Sequence, residues 1–213
     1  MPFADRADAG RQLACRLTHL RGSDVIVLAL PRGGVPVAVP VARALAAPLD
    51  VIVVRKLGVP RRPELAMGAV GEGRAVVRND PVLLALRVAA TDFALVEQAE
   101  REELARRTAV VRAVRAREPL AGRTAVIVDD GIATGSTARA ACAVARAQGA
   151  GRVVLAVPVC SADAAEGLTA AVDELVTVET PAWFGWVGQH YADFRPTSEE
   201  DVLALLRAGQ SAG

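Results

Sequence analysis

A short run of branched apolar residues in the middle of the chain ends in two carboxylates and then in a turn of small and hydroxyl-bearing residues. The apolar residues are 126–128, the acids are Asp129 and Asp130, and the turn covers residues 131–137. Apolar β-formers followed by glycine and hydroxyl residues predict a buried parallel strand that leads into a loop. The Ala-rich stretch at residues 138–148 predicts the helix that this loop opens.

These residue types, in this order, can bind a sugar phosphate. Backbone N–H groups at the start of a helix, with Thr and Ser hydroxyls beside them, form a cradle for a phosphate dianion. Two adjacent acids would repel the phosphate if they pointed into that cradle. They are useful if they instead accept hydrogen bonds from sugar hydroxyls of the same ligand. The sequence therefore favours a ribose that carries a 5′-phosphate.

The stretch at residues 126–138 resembles the motif that binds phosphoribosyl pyrophosphate (PRPP) in the type I phosphoribosyltransferases. A Walker A loop fits poorly, since Ser136 stands after Gly135 where a Lys is needed. A Rossmann fingerprint also fits poorly, because its acid follows the glycines instead of preceding them. The motif implies that Asp129 and Asp130 orient the ribose hydroxyls. The residues that would anchor the phosphate are Gly131, Ile132, Ala133, Thr134, Gly135, Ser136 and Thr137.

The rest of the chain alternates between predicted strands and helices. Strands are predicted at residues 25–30, 51–55, 75–78, 124–129 and 153–157, with a sixth near 173–178 at an edge; helices are predicted at 7–19, 35–46, 82–117, 137–148, 162–171 and 199–207. This alternation predicts an α/β fold with an open, mostly parallel sheet and helices on both faces. With the resemblance, it implies one phosphoribosyltransferase domain over residues 1–213, with a helical insertion (about 81–118) and a small C-terminal hood (about 180–196).

The loop after the first predicted strand is expected to face the acidic loop. In an open parallel sheet, ligands bind beyond the carboxyl ends of the strands, where the strand order reverses. The strands at 25–30 and 124–129 flank that point if the chain winds outward from the first and returns on its other side. Gly33 and Gly34 let the backbone approach a diphosphate, and Arg32 supplies a forked cation. This loop resembles the pyrophosphate loop of the family.

A third loop carries two further cations, Arg55 and Lys56. They stand where the family usually places a basic residue against the pyrophosphate, although a cation at a strand end can also be a solvated terminus. The next stretch, residues 60–73, contains arginines and glycines and suits the mobile loop that in this family folds over PRPP.

The segment at residues 181–194 holds most of the aromatic residues of a chain that is only 3% aromatic. One interpretation is a satellite core under a loop. The resemblance favours another, in which the hood stacks Trp183 and Phe184 on a flat nitrogenous acceptor.

The resemblance implies an enzyme of nucleotide metabolism, a glycosyltransferase that moves the 5-phosphoribosyl group of PRPP to a nitrogenous base or similar acceptor and releases pyrophosphate. Asp129 and Asp130 would favour the cationic sugar of the transition state. Arg32, Lys56 and Mg²⁺ would neutralise the departing diphosphate, with the ion held mainly by the substrate. Ala133 stands where the hypoxanthine-guanine branch usually has an Asp, which disfavours a 6-oxopurine acceptor.

Composition limits the alternatives. The net charge of +1 and the absence of a basic stripe give no case for a nucleic-acid partner. No apolar run is long enough to cross a membrane, so we expect a cytoplasmic protein. A PRPP-sensing regulator with the same fold and little or no transferase activity stays open as the alternative function. A homodimer also stays open, since the charged insertion helix would face either solvent or a second subunit.

Overall fold

Five parallel strands form the central sheet of the protein, which we describe from a computed structural model that covers residues 2–208. The strands among residues 2–208 are β1 (Val25–Ala29), β2 (Leu49–Val51), β3 (Val54–Val59), β4 (Arg62–Gly71), β5 (Val76–Arg78), β6 (Thr124–Val128), β7 (Arg152–Val159) and β8 (Glu174–Glu179). The order in the central sheet is β2-β1-β6-β7-β8, and each neighbouring pair is parallel. The open parallel sheet, the return of the chain to the other side of β1, and the edge position of β8 are confirmed.

Helices cover both faces of this sheet, as predicted. They are α1 (Arg6–Arg16), α2 (Gly34–Leu45), α3 (Asp80–Ala85), α4 (Ala90–Arg112), α5 (Ser136–Ala147), α6 (Ala162–Leu168) and α7 (Glu199–Ala208). Side chains of a strand alternate between faces. Val25 and Val27 therefore pack in the cluster that includes α1, α2 and α7, whereas Ile26 and Leu28 pack in the cluster that includes α5 and α6. No helix within residues 2–208 combines the length and the apolar character needed to cross a membrane.

A second, antiparallel sheet is formed by β3, β4 and β5, and it corrects three predictions. The strand predicted at 51–55 is divided between the two sheets, the strand predicted at 75–78 is not part of the central sheet, and most of the loop predicted at 60–73 is the strand β4. The glycines that suggested a loop serve close packing instead. A side chain at Gly68 would clash with the Val77 carbonyl, and one at Gly71 would clash with Val144 of α5.

The insertion is not the single helix predicted over residues 82–117. It consists of α3 and α4, and the chain between them turns at Arg87, whose φ is +48°. A positive φ is incompatible with a continuing right-handed helix. The longer helix, α4, packs against β3 and β4 and so holds the second sheet from one side.

Arg112, at the end of α4, joins the two sheets through a buried ionic cluster. Its Nη1 lies 2.8 Å from Oδ1 of Asp50 in β2, and its Nε and Nη2 lie 2.8 Å from the two carboxylate oxygens of Glu72, which follows β4. Asp50 is only 1% exposed, and its carboxylate also accepts hydrogen bonds from the backbone amides of Val51 and Glu118. Removal of one member of such a cluster leaves uncompensated charge behind.

We expect Arg112→Met to lower the free energy of unfolding by about 3–5 kcal/mol, because Asp50 and Glu72 would keep their charges without a partner. Urea unfolding followed by circular dichroism measures this loss. Arg106→Met is the matched control, since Arg106 lies on the solvent side of the same helix with 67% of its side chain exposed and should unfold close to wild type. Equal stability of the two variants would contradict a joining role for Arg112.

Candidate functional site

The carboxyl ends of β1 and β6 are direct neighbours in the central sheet. Ala29 pairs with Val128, and the amide of Leu30 donates to the Val128 carbonyl at 2.8 Å. The loop after β1, which contains the cis peptide Pro31–Arg32, therefore faces the acidic loop after β6. This is the crevice at which an open parallel sheet binds ligands.

Gly33 and Gly34 make room for the two acids, which we call the acid pair (Asp129 and Asp130). A side chain at Gly33 would clash with the carboxylate of Asp130. A Cβ at Gly34 would lie 2.5 Å from the Val128 carbonyl oxygen and 3.0 Å from Cα of Asp129. The sequence assigns these glycines to a diphosphate. The structure shows that they already allow the first loop to pack directly on the acids.

The acid pair lies in an environment that disfavours its charge. Burial, with repulsion from Asp130, raises the pKa of the Asp129 carboxyl well above its usual range, although Asp129 Oδ1 accepts the amide of Asp130 at 2.9 Å. Burial also raises the pKa of Asp130, while an ion pair with Arg6 acts in the opposite direction. Two carboxylates so close together with so little water need a cation nearby.

That cation is Arg6, which sequence reasoning did not include in the site. Its Nε and Nη2 both lie 2.8 Å from Oδ2 of Asp130. Its Nη1 donates to the Arg195 carbonyl at 2.8 Å, and its guanidinium lies 3.9 Å from the centre of the Phe194 ring. Arg6 is separated from Asp130 by 124 positions. The one local signal is a cation in the first turn of a helix, where the macrodipole disfavours it, and that signal is weak.

The loop at residues 131–137, which we call the phosphate loop, leads into α5. Gly135 adopts the left-handed conformation (φ +74°) directly before the helix. The amide of Ile132 is occupied, because it donates to the Val159 carbonyl at 2.9 Å. The amides of residues 133–138 have no acceptor among the described residues, and the side chains of Thr134 and Thr137 are exposed. Unpaired backbone donors at a helix start are able to bind an anion.

The predicted cations line a separate part of the site, a cleft of about 1140 Å³ that we call the basic cleft. Its charged lining residues are Arg32, Arg55, Lys56, Glu100, Arg61, Arg106, Arg107 and Glu199. Thr137 of the phosphate loop also lines it, which makes the two parts continuous. Neither member of the acid pair lines it, nor does Trp183 or Phe184.

The cations of the basic cleft differ in their availability. Arg55 is paired with Glu100 of α4 at 2.6 Å, and Nζ of Lys56 donates to the Glu64 carbonyl across the β3–β4 hairpin at 3.1 Å. The Arg32 side chain is exposed and has no hydrogen bond or ion pair within residues 2–208. Of the three predicted cations, Arg32 is thus the one that is free to meet an anion without first giving up a partner.

The hood contains a small aromatic core and an exposed tryptophan. Tyr191 and Phe194 pack with Phe3 as a small core, and the Tyr191 hydroxyl donates to the Asp130 carbonyl at 2.5 Å. Trp183, by contrast, is 76% exposed, and Phe184 stacks on His190 with ring centres 5.4 Å apart. The satellite core therefore supports the acid pair, whereas Trp183 is accessible to a ligand.

Comparison with known proteins places these features in context. A sequence model described as "Phosphoribosyl transferase domain" matches residues 5–195. A protein of Mycobacterium tuberculosis, provisionally named a phosphoribosyl transferase, is 56% identical over 204 residues, which are 96% of this chain and 46% of the relative. The chain thus spans about half the length of the curated relatives it matches.

Two solved structures are also similar. The crystal structure of TT1426 from Thermus thermophilus superposes with a TM-score of 0.91 at 44% identity, over 98% of this chain and 99% of that one. A hypothetical protein from Neisseria gonorrhoeae, solved with bound ppGpp, has a TM-score of 0.50 at 14% identity over 98% of both chains. The second likeness concerns the fold alone.

The raised pKa of Asp129 gives a prediction about stability. Between the ordinary Asp pKa of about 3.9 and the higher folded value, the folded state binds more protons than the unfolded state, so this group makes stability fall as pH rises. Asp129→Asn removes that term and can still accept the Asp130 amide. We expect the variant to be more stable than wild type at pH 7, by about 1.4 kcal/mol for each unit of the shift, and equal to it at pH 3.

Thermal or urea unfolding at several pH values measures this difference. Asp173→Asn is the control of opposite sign, because the Val153 amide holds the pKa of Asp173 below its usual value. That variant should lose stability near neutral pH. If Asp129→Asn were less stable than wild type at pH 7, the carboxylate would not be disfavoured by its surroundings.

Proposed function

The chain belongs to the phosphoribosyl transferase domain family, and from that premise we propose that it moves the 5-phosphoribosyl group of PRPP to a nitrogenous acceptor and releases pyrophosphate. The observation that carries the proposal is the unpaired amides of residues 133–138 directly after the acid pair, at the crevice between β1 and β6. One ligand that fits both features is a sugar that bears hydroxyls and a phosphate.

In this proposal the phosphate loop and the acid pair hold the two ends of the ribose 5-phosphate. The amides of residues 133–138 and the hydroxyls of Thr134, Ser136 and Thr137 bind the phosphate, assisted by the helix dipole of α5. Asp129 and Asp130 accept the ribose hydroxyls. The carboxylates also stabilise positive charge on the sugar ring, which develops as the bond to the diphosphate breaks.

The diphosphate would lie against the loop after β1 and the basic cleft. Arg32 would meet it first, since its side chain has no other partner among residues 2–208. Lys56 would leave the Glu64 carbonyl to reach the diphosphate. Arg55 is fixed at the edge of the cleft by its ion pair with Glu100. The hairpin formed by β3 and β4 carries Arg61 at its tip and would serve as the cover that excludes water from the reacting sugar.

Magnesium bound to the diphosphate would lower the charge of the leaving group. Within residues 2–208 no three His, Cys, Asp or Glu side chains come together as a metal site. In this proposal the ion arrives on the diphosphate and keeps water ligands, as Mg²⁺ prefers. The residues of the chain then have to position the sugar and the two phosphate groups.

In the transfer itself, a nitrogen lone pair of the acceptor forms the new bond to the anomeric carbon. The carbon–oxygen bond to the diphosphate breaks, and its electron pair leaves with the diphosphate. The acceptor approaches from the face opposite the leaving group, which favours the side of the hood where Trp183 is exposed. Ala133 offers no acid for proton transfer at a 6-oxopurine, so an acceptor that needs no such acid is favoured.

The proposal is tested by incubating the protein with PRPP, Mg²⁺ and a panel of nitrogenous bases and following pyrophosphate release. We expect release that depends on one base, and a loss of about a hundredfold in Asp130→Asn. Asp163→Asn, an exposed acid in α6, is the matched control and should retain wild-type turnover.

Each other outcome has a distinct meaning. Release without a base would indicate hydrolysis, and saturable PRPP binding without release would favour the sensing regulator. A thermal shift with PRPP detects binding independently, since ligand at a hundred times its Kd adds about 2.7 kcal/mol of stability. Absence of any binding would overturn the proposal.

A further inference from the structure

The ion pair between α1 and the acid pair points to an additional residue in the site. We propose that Arg6 is a positioning residue that keeps Asp130 charged and correctly oriented for a ribose hydroxyl and that connects this carboxylate to the hood. The inference rests on the proposed function, because the ribose role of Asp130 belongs to it. Arg6 would act through Asp130 without touching the substrate.

The geometry leaves part of Asp130 free for a ligand. Both Nε and Nη2 of Arg6 contact the same oxygen, Oδ2, at 2.8 Å. Oδ1 of Asp130 accepts no hydrogen bond from another of the described residues. A ribose hydroxyl can therefore donate to Oδ1 while Arg6 stays in place, and the guanidinium fixes the plane in which that oxygen lies.

Arg6 is itself fixed on its other side by the hood. Nη1 donates to the Arg195 carbonyl at 2.8 Å, and the guanidinium lies over the Phe194 ring at 3.9 Å. Only 11% of the side chain is exposed. Each of the three guanidinium nitrogens thus has an acceptor within the protein, which leaves Arg6 poorly placed to recruit another anion.

The groups around Asp130 leave Arg6 as the cation that balances its charge. Asp129 is its direct neighbour, the Tyr191 hydroxyl donates to its backbone carbonyl, and Gly33 packs on its carboxylate from the first loop. Asp193 and Arg195 near Arg6 are paired with each other at 2.6 Å. Within residues 2–208, Arg6 is the one cation in ion-pair contact with the acid pair.

Loss of Arg6 would therefore raise the pKa of Asp130 further, so the carboxyl would stay protonated to a higher pH than in wild type. Burial already raises the pKa of this carboxyl, and Arg6 is the group that lowers it. A protonated Asp130 carries no charge to stabilise the cationic sugar. A role in positioning thus predicts a change in pH dependence, whereas a role in stability alone does not.

The direct test is a ¹³C NMR titration of the Asp130 side chain in the unliganded protein. We expect its pKa to rise by at least about one unit in Arg6→Gln, because an adjacent Arg lowers the pKa of an Asp by about 1–3 units. In Arg6→Lys, the pKa of Asp130 should lie between its values in wild type and in Arg6→Gln. Arg16→Gln, an exposed residue of the same helix, should titrate like wild type. An unchanged titration in Arg6→Gln would overturn the inference.

A second measurement separates this inference from the proposed function. PRPP and Mg²⁺ should raise the melting temperature of both proteins at high pH. As the pH is lowered, this thermal shift should disappear at a higher pH in Arg6→Gln than in wild type. If PRPP has no effect on wild type, the proposed function fails and the titration still decides the role of Arg6. If PRPP stabilises wild type and Arg6→Gln with the same pH dependence, the inference fails and the function stands.

If Arg6→Gln does not fold, Phe194→Leu provides the same test. This variant keeps both charges and the apolar character of position 194, and it removes the ring that lies beneath the guanidinium and packs against Tyr191. A smaller rise in the pKa of Asp130 would support the inference, and an unchanged pKa together with unchanged PRPP binding would contradict it.

Discussion

The structure depends on keeping two adjacent carboxylates at the poorly hydrated end of β6. Each neighbouring element accommodates this requirement in a different way. The loop after β1 supplies Gly33 and Gly34, whose missing side chains leave room for the acids. The first helix supplies the cation Arg6, and the hood holds Asp130 by its carbonyl through Tyr191. Contacts from three separate parts of the chain thus hold the acid pair in place, and of these contacts the one with Arg6 pairs with its charge.

A second constraint is the attachment of the small antiparallel sheet to the large parallel one. Arg112 joins α4 to both sheets by contacts with Asp50 and Glu72, and Arg55 joins β3 to α4 through Glu100. Because Lys56 follows Arg55 on the same strand, these ion pairs also determine where the basic cleft opens. The insertion therefore contributes to the geometry of the site without contributing a residue of the acid pair.

Sequence reasoning predicted what is encoded locally. The strand, the acids and the phosphate loop are contiguous, and the winding of a parallel sheet brings β1 beside β6. It could not find Arg6, because that contact spans 124 positions and has no motif. It also interpreted the glycines of β4 as a loop. Close packing against Val77 and Val144 requires glycine just as a turn does, so the residue type alone does not distinguish the two. The domain boundaries and the roles of the individual site residues stay predictions.

The distribution of tryptophan has an optical consequence. The chain contains two tryptophans, Trp183 and Trp186, and both are exposed on the hood, at 76% and 59%. Ultraviolet emission excited at the indole band therefore originates entirely from this one surface element. The intrinsic fluorescence of the unlabelled protein therefore changes when a molecule binds to the hood. It carries little direct information about the aliphatic interior between the two layers of helices.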